Sequence, residues 1–319
     1  MSNNIGEKIS VCLLTYNHIE VIESTLRTIL DQTIIGYEVI VSDDCSTDGT
    51  WERILELAAA DARIKPVRTP NNRGMPGNAN FAVAQSDRSY IALLHHDDLY
   101  RKDLLEKWAW VLDRNSDAVF VFNPYGVFES DFIYQEPMPG ECIDGKWLMK
   151  KYLFARWGCL VRGTAMIRRE AWEQVGGMRE QFGLLADIDM WMRLAMRGPV
   201  GYVPEPVITV RHQRPGYYPD IYTGGAWSWR RQRFLYEIHA SNRLDYLNLN
   251  TPGGRLQWWR FRLKLSYETT KWLIYAVVRK KPEMIMTSHE SVTRYDLYPL
   301  RVLRGMLQRS FSSRLGMPK

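Results

Sequence analysis

The chain predicts an α/β domain with a mostly parallel central sheet flanked by helices, followed by a helical C-terminal extension. Short aliphatic runs at 9–14, 37–42, 64–67 and 90–94 alternate with stretches whose apolar residues recur at helical spacing, the pattern of consecutive βαβ units. Two aspartate pairs, Asp43-Asp44 and Asp97-Asp98, stand where an aliphatic run stops. In open α/β sheets ligands bind outside the carboxyl ends of the strands, so both pairs should face one crevice. Carboxylates crowded there repel one another unless a cation or hydrogen-bond donors compensate, which makes a divalent metal and a polar ligand their natural complement. The pattern is that of an enzyme.

Each element follows from its local signal. The run 9–14 is the first strand, and the turn Thr15-Tyr16-Asn17-His18 leads into a helix with Ile22, Leu26, Ile29 and Leu30 on one face. The second strand, 37–42, passes through Asp43-Asp44-Cys45-Ser46 into a helix opened by Thr47-Asp-Gly-Thr-Trp51, with Ile54, Leu55 and Ala58 inward. Strand 64–67 ends in the loop Asn71-Asn-Arg-Gly-Met-Pro-Gly-Asn78, followed by a helix at 79–84 and a strand at 90–94. A helix at 104–112 covers the sheet, and 118–122 is a further strand. Beyond it Pro124, Pro137, Pro139 and Gly140 interrupt the alternation, and the sheet is expected to turn mixed. Helices are expected at 147–155, 169–175 and 187–196, the last with Met190, Trp191, Leu194 and Ala195 inward, with Gly176-Gly177 as a break. A strand pair ends near Val210. These elements define a first domain at 1–225 and a mainly helical region at 226–319, hinged at Pro252-Gly253-Gly254.

A chain of 319 residues with 45% hydrophobic and 12% aromatic content can bury a full α/β core, which excludes a disordered protein. The longest uncharged apolar stretch, 272–278, is too short to span a bilayer. The first residues lack the basic and apolar regions of a signal peptide, so the expected location is the cytosol. Cys12, Cys45, Cys142 and Cys159 are too scattered for a zinc motif or a disulfide framework and read as reduced thiols, with Cys12 in the core. The net charge of +6 hides an asymmetry, because residues 255–319 carry 14 Lys or Arg against 4 Asp or Glu. That segment alone is +10, and its Trp258, Trp259, Phe261 and Trp272 make an anionic membrane surface a better partner than nucleic acid.

The set Ser10-Val-Cys-Leu-Leu-Thr-Tyr-Asn17, Glu38-Val-Ile-Val-Ser-Asp-Asp-Cys-Ser-Thr-Asp-Gly-Thr50, Asn72-Arg-Gly74, His95-His-Asp-Asp98 and Asp187-Ile-Asp-Met-Trp-Met-Arg193 resembles the family 2 inverting glycosyltransferases. The resemblance covers about residues 8–215. It implies a GT-A fold acting on a nucleotide-diphosphate sugar, a UDP- or dTDP-sugar above others, with a divalent cation, Mn²⁺ or Mg²⁺, as cofactor. It divides the first domain into a nucleotide-sugar half (about 1–100) and an acceptor half (about 101–225).

The resemblance also implies roles. Thr15, Tyr16 and one of Asp43 or Asp44 would hold the base, the aromatic ring by stacking and the carboxylate by accepting from a ring N–H, with Asn17 also in the nucleotide-sugar site. Helix capping is the structural alternative for Asp44 and Ser46. Arg73, beside Gly74, would meet the donor or its phosphates, with a solvated surface arginine as the alternative. The family usually has an arginine where this chain has Ala79. Asp97 matches the metal-binding aspartate of the family's Asp-X-Asp, and His95 stands in place of the first carboxylate, which favours Mn²⁺ over Mg²⁺ if the imidazole ligates. Successive strand residues alternate faces, so His95 and His96 should not both enter the site; His96 faces the ribose or packs into the sheet.

Asp187 matches the catalytic base that takes the proton of the acceptor hydroxyl, with N-capping as its alternative role. The family commonly has Glu at the position of Ala186. Asp189, about 200° further around the helix, is expected to pair with Arg193. His212 and Arg214 follow the last matched strand, where basic groups close over a diphosphate; His212 is also a candidate metal ligand. Trp157 and Trp191 are candidates for stacking on acceptor sugar, with a core position the alternative for Trp191.

The expected function is transfer of one sugar to a glycan or lipid-linked acceptor in bacterial surface polysaccharide assembly. The basic aromatic segment, Arg255-Leu-Gln-Trp-Trp-Arg-Phe-Arg-Leu-Lys264, suits a helix lying at the inner face of the plasma membrane. A helical cover on the catalytic domain, or an interface of a homo-oligomer, is its competing role. A sugar-phosphate nucleotidyltransferase would need an N-terminal Gly-rich phosphate loop, which the chain lacks. A noncatalytic nucleotide-sugar or carbohydrate binder is the rival that His95 and Ala186 keep open.

Overall fold

A computed structural model describes residues 4–155, 159–211, 225–279, 295 and 305–306. Its first compact unit spans residues 1–213 and its second 214–319. In the first unit four strands run parallel: β1 (Ile9–Thr15), β2 (Glu38–Asp43), β3 (Ile64–Arg68) and β4 (Tyr90–His95). Every residue of β1 and β2 is buried, so both faces of these strands pack, and 11–14 and 39–41 read as short apolar runs between buried polar residues. Helices α1 (Ile19–Leu30) and α2 (Thr50–Ala60) return the chain between them; Ile22, Leu26, Ile29 and Ile54 join one core with Val11, Leu13, Val39 and Val41.

Helix α3 (Gly74–Val83) begins five residues before the expected start at 79. Pro76 lies in its first turn, where the missing N–H is not needed for the helix ladder, so the Gly/Pro cluster opens the helix instead of preceding it. After β4 come β5 (Leu99–Tyr100), α4 (Leu104–Arg114), β6 (Phe120–Phe122), β7 (Tyr125–Val127), β8 (Ile133–Tyr134) and β9 (Cys142–Ile143). The helix expected at 147–155 is a short turn, α5 (Gly145–Leu148), continued by a π-helical turn (Met149–Leu153).

A strand without a sequence-level signal, β10 (Ala165–Arg168), enters the main sheet antiparallel between β4 and β6. The chain then forms α6 (Arg169–Val175), a 3-10 segment (Glu180–Leu185), α7 (Ala186–Ala195), β11 (Val200–Tyr202) and β12 (Ile208–Val210). The larger sheet has the order β3-β2-β1-β4-β10-β6-β11-β9, parallel on its β3–β4 side and mixed beyond; the smaller is β5-β12-β7-β8.

Helix α7 is wedged into the core by Met190, Trp191 and Leu194, all fully buried, and Trp191 packs on Phe120 at 5.2 Å between ring centroids. Trp191 is therefore a core residue. Asp189 and Arg193 are buried on the same helix and pair at 2.7 Å, as their spacing predicts. The guanidinium of Arg193 also donates to the carbonyls of Val175 (2.5 Å) and Gly177 (2.8 Å), tying α7 to the end of α6.

The second unit contains α8 (Gly225–Tyr246) and α9 (Pro252–Val278). Among the described residues no helix is long and apolar enough to cross a membrane.

Replacing Asp189 with Ala leaves the buried Arg193 charge without its carboxylate, and the expected loss is about 3–5 kcal/mol of folding stability. A urea unfolding curve of the variant beside the parent chain measures it.

Candidate active site

Strand register builds the site. Thr15 lies opposite Asp43, and Leu14 opposite His95, so β1, β2 and β4 release their chain at one level of the sheet. The loops after β1 and β2 are held in an uncommon conformation: Asn17 and Cys45 have φ of 52° and 67°. These left-handed positions are the described non-glycine residues with positive φ, and both border the crevice. They are locked together by Asn17 N–H donating to Ser46 Oγ (2.8 Å) and Thr47 N–H donating to Asn17 Oδ1 (2.8 Å). Asn17 thus organises the two loops, while Tyr16 stands 39% exposed above them.

The two carboxylates of the first pair diverge. Asp44 Oδ1 accepts from Thr69 Oγ1 and from the Arg73 N–H, both at 2.9 Å, and so anchors the loop after β3. Asp43 is fully buried; its Oδ2 accepts the Ser46 N–H (3.0 Å) and faces Arg68 Nε at 3.1 Å. Its Oδ1 is buried without a hydrogen-bond partner, as is Thr15 Oγ1 on the paired residue of β1. Burial pushes the Asp43 pKa up, against the pull of Ser46 and Arg68. Neither Asp44 nor Ser46 caps α2: its N-cap is Gly49, in a left-handed conformation and without a side-chain cap, and Asp48 just before it accepts from Thr50 N–H at 3.0 Å.

Arg73 crosses Gly77 and pairs with Glu180 at 2.7 Å, on the segment leading into α7. Asn80 clamps the same segment, donating to the Met178 carbonyl (2.9 Å) and accepting its N–H (2.8 Å).

At the end of β4 the two histidines part, as strand alternation predicts. His96 is buried, its Nδ1 lies 2.6 Å from the Leu14 carbonyl, and its ring packs on that of His18, tilted by 35° with centroids 3.7 Å apart. Since a carbonyl can only accept, Nδ1 carries the proton there. His95 turns the other way, its backbone held by the Tyr100 hydroxyl (2.9 and 2.7 Å). Ligand atoms of His95, Asp97 and Asp98 lie within 4.8 Å of one another. Asp98, noted at first only as half of an acidic pair, thus completes a two-carboxylate, one-imidazole set. Its carboxyl is pushed up to about 7 by burial, against the charges of Arg162 and Arg211 and the Arg211 N–H.

Asp187 approaches from α7. A Cβ placed on Gly163 would lie 2.6 Å from His95 Cε1 and 3.4 Å from Asp187 Oδ2, so the imidazole and the carboxylate border the same glycine. Asp187 Oδ1 accepts the Ile188 N–H at 2.8 Å, and the residue is inside the first turn of α7, not at its cap. Burial raises its pKa to about 6, with the Ile188 N–H and the charge of Arg162 opposing. His212, Arg214 and Trp157 lie outside the described residues. Arg162, which sequence reasoning passed over, acts electrostatically on both Asp98 and Asp187.

The fold and site define a GT-A enzyme that handles a nucleotide sugar: a parallel half-sheet with a polar pocket at Thr15 and Asp43, an acidic cluster and a half-buried carboxylate, Asp187, at one crevice. The chain belongs to glycosyl transferase family 2, whose family model matches residues 10–176. It is 28% identical over 264 residues to the putative glycosyltransferase EpsE of Bacillus subtilis (strain 168), covering 78% of this chain and 89% of EpsE. To the putative teichuronic acid biosynthesis glycosyltransferase TuaG of the same organism it is 31% identical over 200 residues, 61% of this chain and 74% of TuaG. Its fold matches that of S. aureus TarS 1–349, solved in complex with UDP-GlcNAc, with a TM-score of 0.64 at 16% identity over 97% of this chain and 92% of that one.

Gly163 and Gly176 both have φ above +70°, but only Gly163 faces a side chain that a Cβ would strike. Alanine at either position is expected to cost about 1–2 kcal/mol of backbone strain. Gly163→Ala alone should displace His95, seen as a shifted His95 imidazole signal in an NMR spectrum that Gly176→Ala leaves in place.

Proposed function

We propose that the chain is an inverting glycosyltransferase that moves a sugar from a UDP- or dTDP-sugar to a glycan or lipid-linked acceptor in bacterial surface polysaccharide assembly. The observation that carries this reading is the approach of Asp187 to His95 across Gly163, which brings a general base to the edge of the acidic cluster. The names of EpsE and TuaG support the reaction class and, for TuaG, the polysaccharide setting. The UDP-GlcNAc bound by TarS supports a uridine donor.

In this reading Tyr16 stacks on the base, and Asp43 Oδ1 and Thr15 Oγ1, buried without protein partners, take its polar edge; a uracil or thymine ring N–H donates to Asp43. Asp44 and Asn17 shape that pocket by fixing its loops, and His96 supports it through Leu14. Arg73 lies where opening of its pair with Glu180 frees it for the donor.

His95, Asp97 and Asp98 fit a divalent cation, two hard oxygens with one nitrogen, and the imidazole favours Mn²⁺ over Mg²⁺. When bound, such a cation supplies positive charge to the departing diphosphate. Asp187 takes the proton of the acceptor hydroxyl as it attacks from the face opposite the leaving group, which inverts the anomeric centre. With a pKa near 6, Asp187 is ionised at pH 7 and still basic enough to accept that proton.

The test is acceptor-free hydrolysis of a panel of UDP- and dTDP-sugars by the full chain, with MnCl₂ and with EDTA, alongside UDP binding by calorimetry. Metal-dependent turnover is expected. UDP binding without turnover of any donor would leave the noncatalytic binder as the surviving reading. Asp187→Asn should lower sugar transfer by about 10²–10⁴-fold with UDP affinity nearly unchanged. Because the base works only when ionised, kcat/KM should fall about tenfold per unit as pH drops below 6 and level off above it.

The second unit supports an acceptor presented at an anionic bilayer. Along α9, Leu256, Trp259, Leu263, Tyr267, Ile274 and Val278 are exposed at helical spacing, while Phe261, Leu265 and Leu273 are buried on the opposite side. Exposed Arg260, Lys264 and Lys271 flank that stripe, giving it the charge complement of anionic lipid headgroups. The full chain should float with vesicles containing anionic lipid and not with neutral ones, and salt should release it. Failure to float with either rules the membrane out and leaves a protein interface for this face.

A further inference from the structure

Strand order separates two flanks of the site. The base pocket at Thr15 and Asp43 lies on the β1–β2 side of β4, and β10 pairs with β4 on the other side. The residue leading into β10, Arg162, is therefore across the acidic cluster from the nucleotide pocket. Its neighbour Gly163 borders Asp187. Arg162 is exposed, its guanidinium lies over the ring of Tyr125 at 5.9 Å, and Tyr125 stacks on Tyr134 at 5.2 Å with an interplanar angle of 18°. A shallow pocket bordered by Asn123, Tyr134, Glu136, Leu160 and Tyr202 opens beside that stack.

Two carboxylates, Asp98 and Asp187, feel the charge of Arg162, yet among the described residues it makes no ion pair. A guanidinium near an aromatic face gains from the ring without spending its N–H donors on an acceptor, so they stay available for another ligand. That edge matches a carboxylate or phosphate bidentately. Aromatic faces beside it suit the apolar face of a sugar ring.

We propose that Arg162 is the anion anchor of the acceptor subsite, so that the acceptor is a glycan carrying a carboxylate or phosphate group whose sugar packs against Tyr125 and Tyr134. This rests on the reading of Asp187 as the base, since it is the attacking hydroxyl that Arg162 would bring to that carboxylate. The donor's diphosphate has its own place, at the cluster of His95, Asp97 and Asp98. An anionic acceptor would also be repelled by Asp98 and Asp187 unless a cation stood between them, and Arg162 is placed to do this.

Calorimetry on the full chain saturated with UDP tests the proposal with three probes: methyl β-D-glucuronide, glucose 6-phosphate and the neutral methyl β-D-glucoside. At least one charged probe should bind about tenfold or more tightly than the glucoside, the gain expected of a charge-assisted pair. Arg162→Ala should abolish that preference with UDP affinity unchanged, and Arg162→Lys should retain part of it. The better of the two charged probes identifies the anion. Equal affinity for all three probes, including no binding of any, overturns the proposal. So does a loss of UDP affinity in Arg162→Ala, which would assign the guanidinium to the diphosphate. A parent chain that fails to bind UDP at all would instead overturn the proposed function, and this inference with it.

Discussion

Everything at the crevice depends on parallel pairing in register. Because Thr15 faces Asp43 and Leu14 faces His95, three strands drop their following loops at the same height. Polar residues from separate βαβ units meet there without any strand having to bend. The antiparallel entry of β10 extends the same device. With Ala165 opposite Leu93, the chain just before β10 lies alongside His95, and Gly163 comes into contact with the imidazole. A shift of one residue in either pairing would turn every side chain of the shifted strand to the opposite face of the sheet, so the core that buries Val11, Val39 and Ala92 also sets the positions of the acidic groups.

Holding these groups together costs free energy. Burial opposes the charged forms of Asp43, Asp98 and Asp187, whose pKa values all move up. The surroundings offset this only in part: Asp43 has one oxygen satisfied and one unpartnered, and Asp187 has the Ile188 N–H. Asp44, by contrast, spends its Oδ1 on Thr69 and Arg73. The same contrast separates Asp187 from Asp189. One remains available in the crevice, while the other is neutralised in the core by Arg193 and secures the helix that carries both. Incompletely compensated acids sit where a ligand would complete them, and fully compensated ones hold the frame.

Much of this was legible in the chain. Fully buried strands are short apolar runs, and α7 announced itself by the spacing of Met190, Trp191 and Leu194 and by the Asp189–Arg193 pair. What the sequence concealed has physical causes. Strand β10 is four residues long, buried on both faces and continuous with α6, so it shows neither alternation nor a turn. The division between Asp43 and Asp44 depends on Thr69 and Arg73, more than twenty residues away, and on a left-handed Cys45 that no propensity foretells. Asp98 was visible as an acid, but its meeting with His95 and Asp97 needs the tight turn after β4. Arg162 is a single cation between apolar residues and glycine, and only the fold shows which carboxylates it faces.

His95 and Gly163 are best understood as one feature. The family resemblance implies a carboxylate where this chain has an imidazole, a larger group that would collide with a side chain on the residue opposite. Here that residue is glycine, in a backbone conformation (φ +77°) that other residues rarely adopt, and the space a Cβ would fill is taken by His95 Cε1. Exchanging carboxylate for imidazole removes one negative charge from a crevice where Asp98 and Asp187 are already hard to ionise, and eases the repulsion between them. It also replaces a hard oxygen with a nitrogen donor. The accommodation at Gly163 gives the imidazole a structural basis, and it sets His95 between Asp97 and Asp98 on one side and Asp187 on the other.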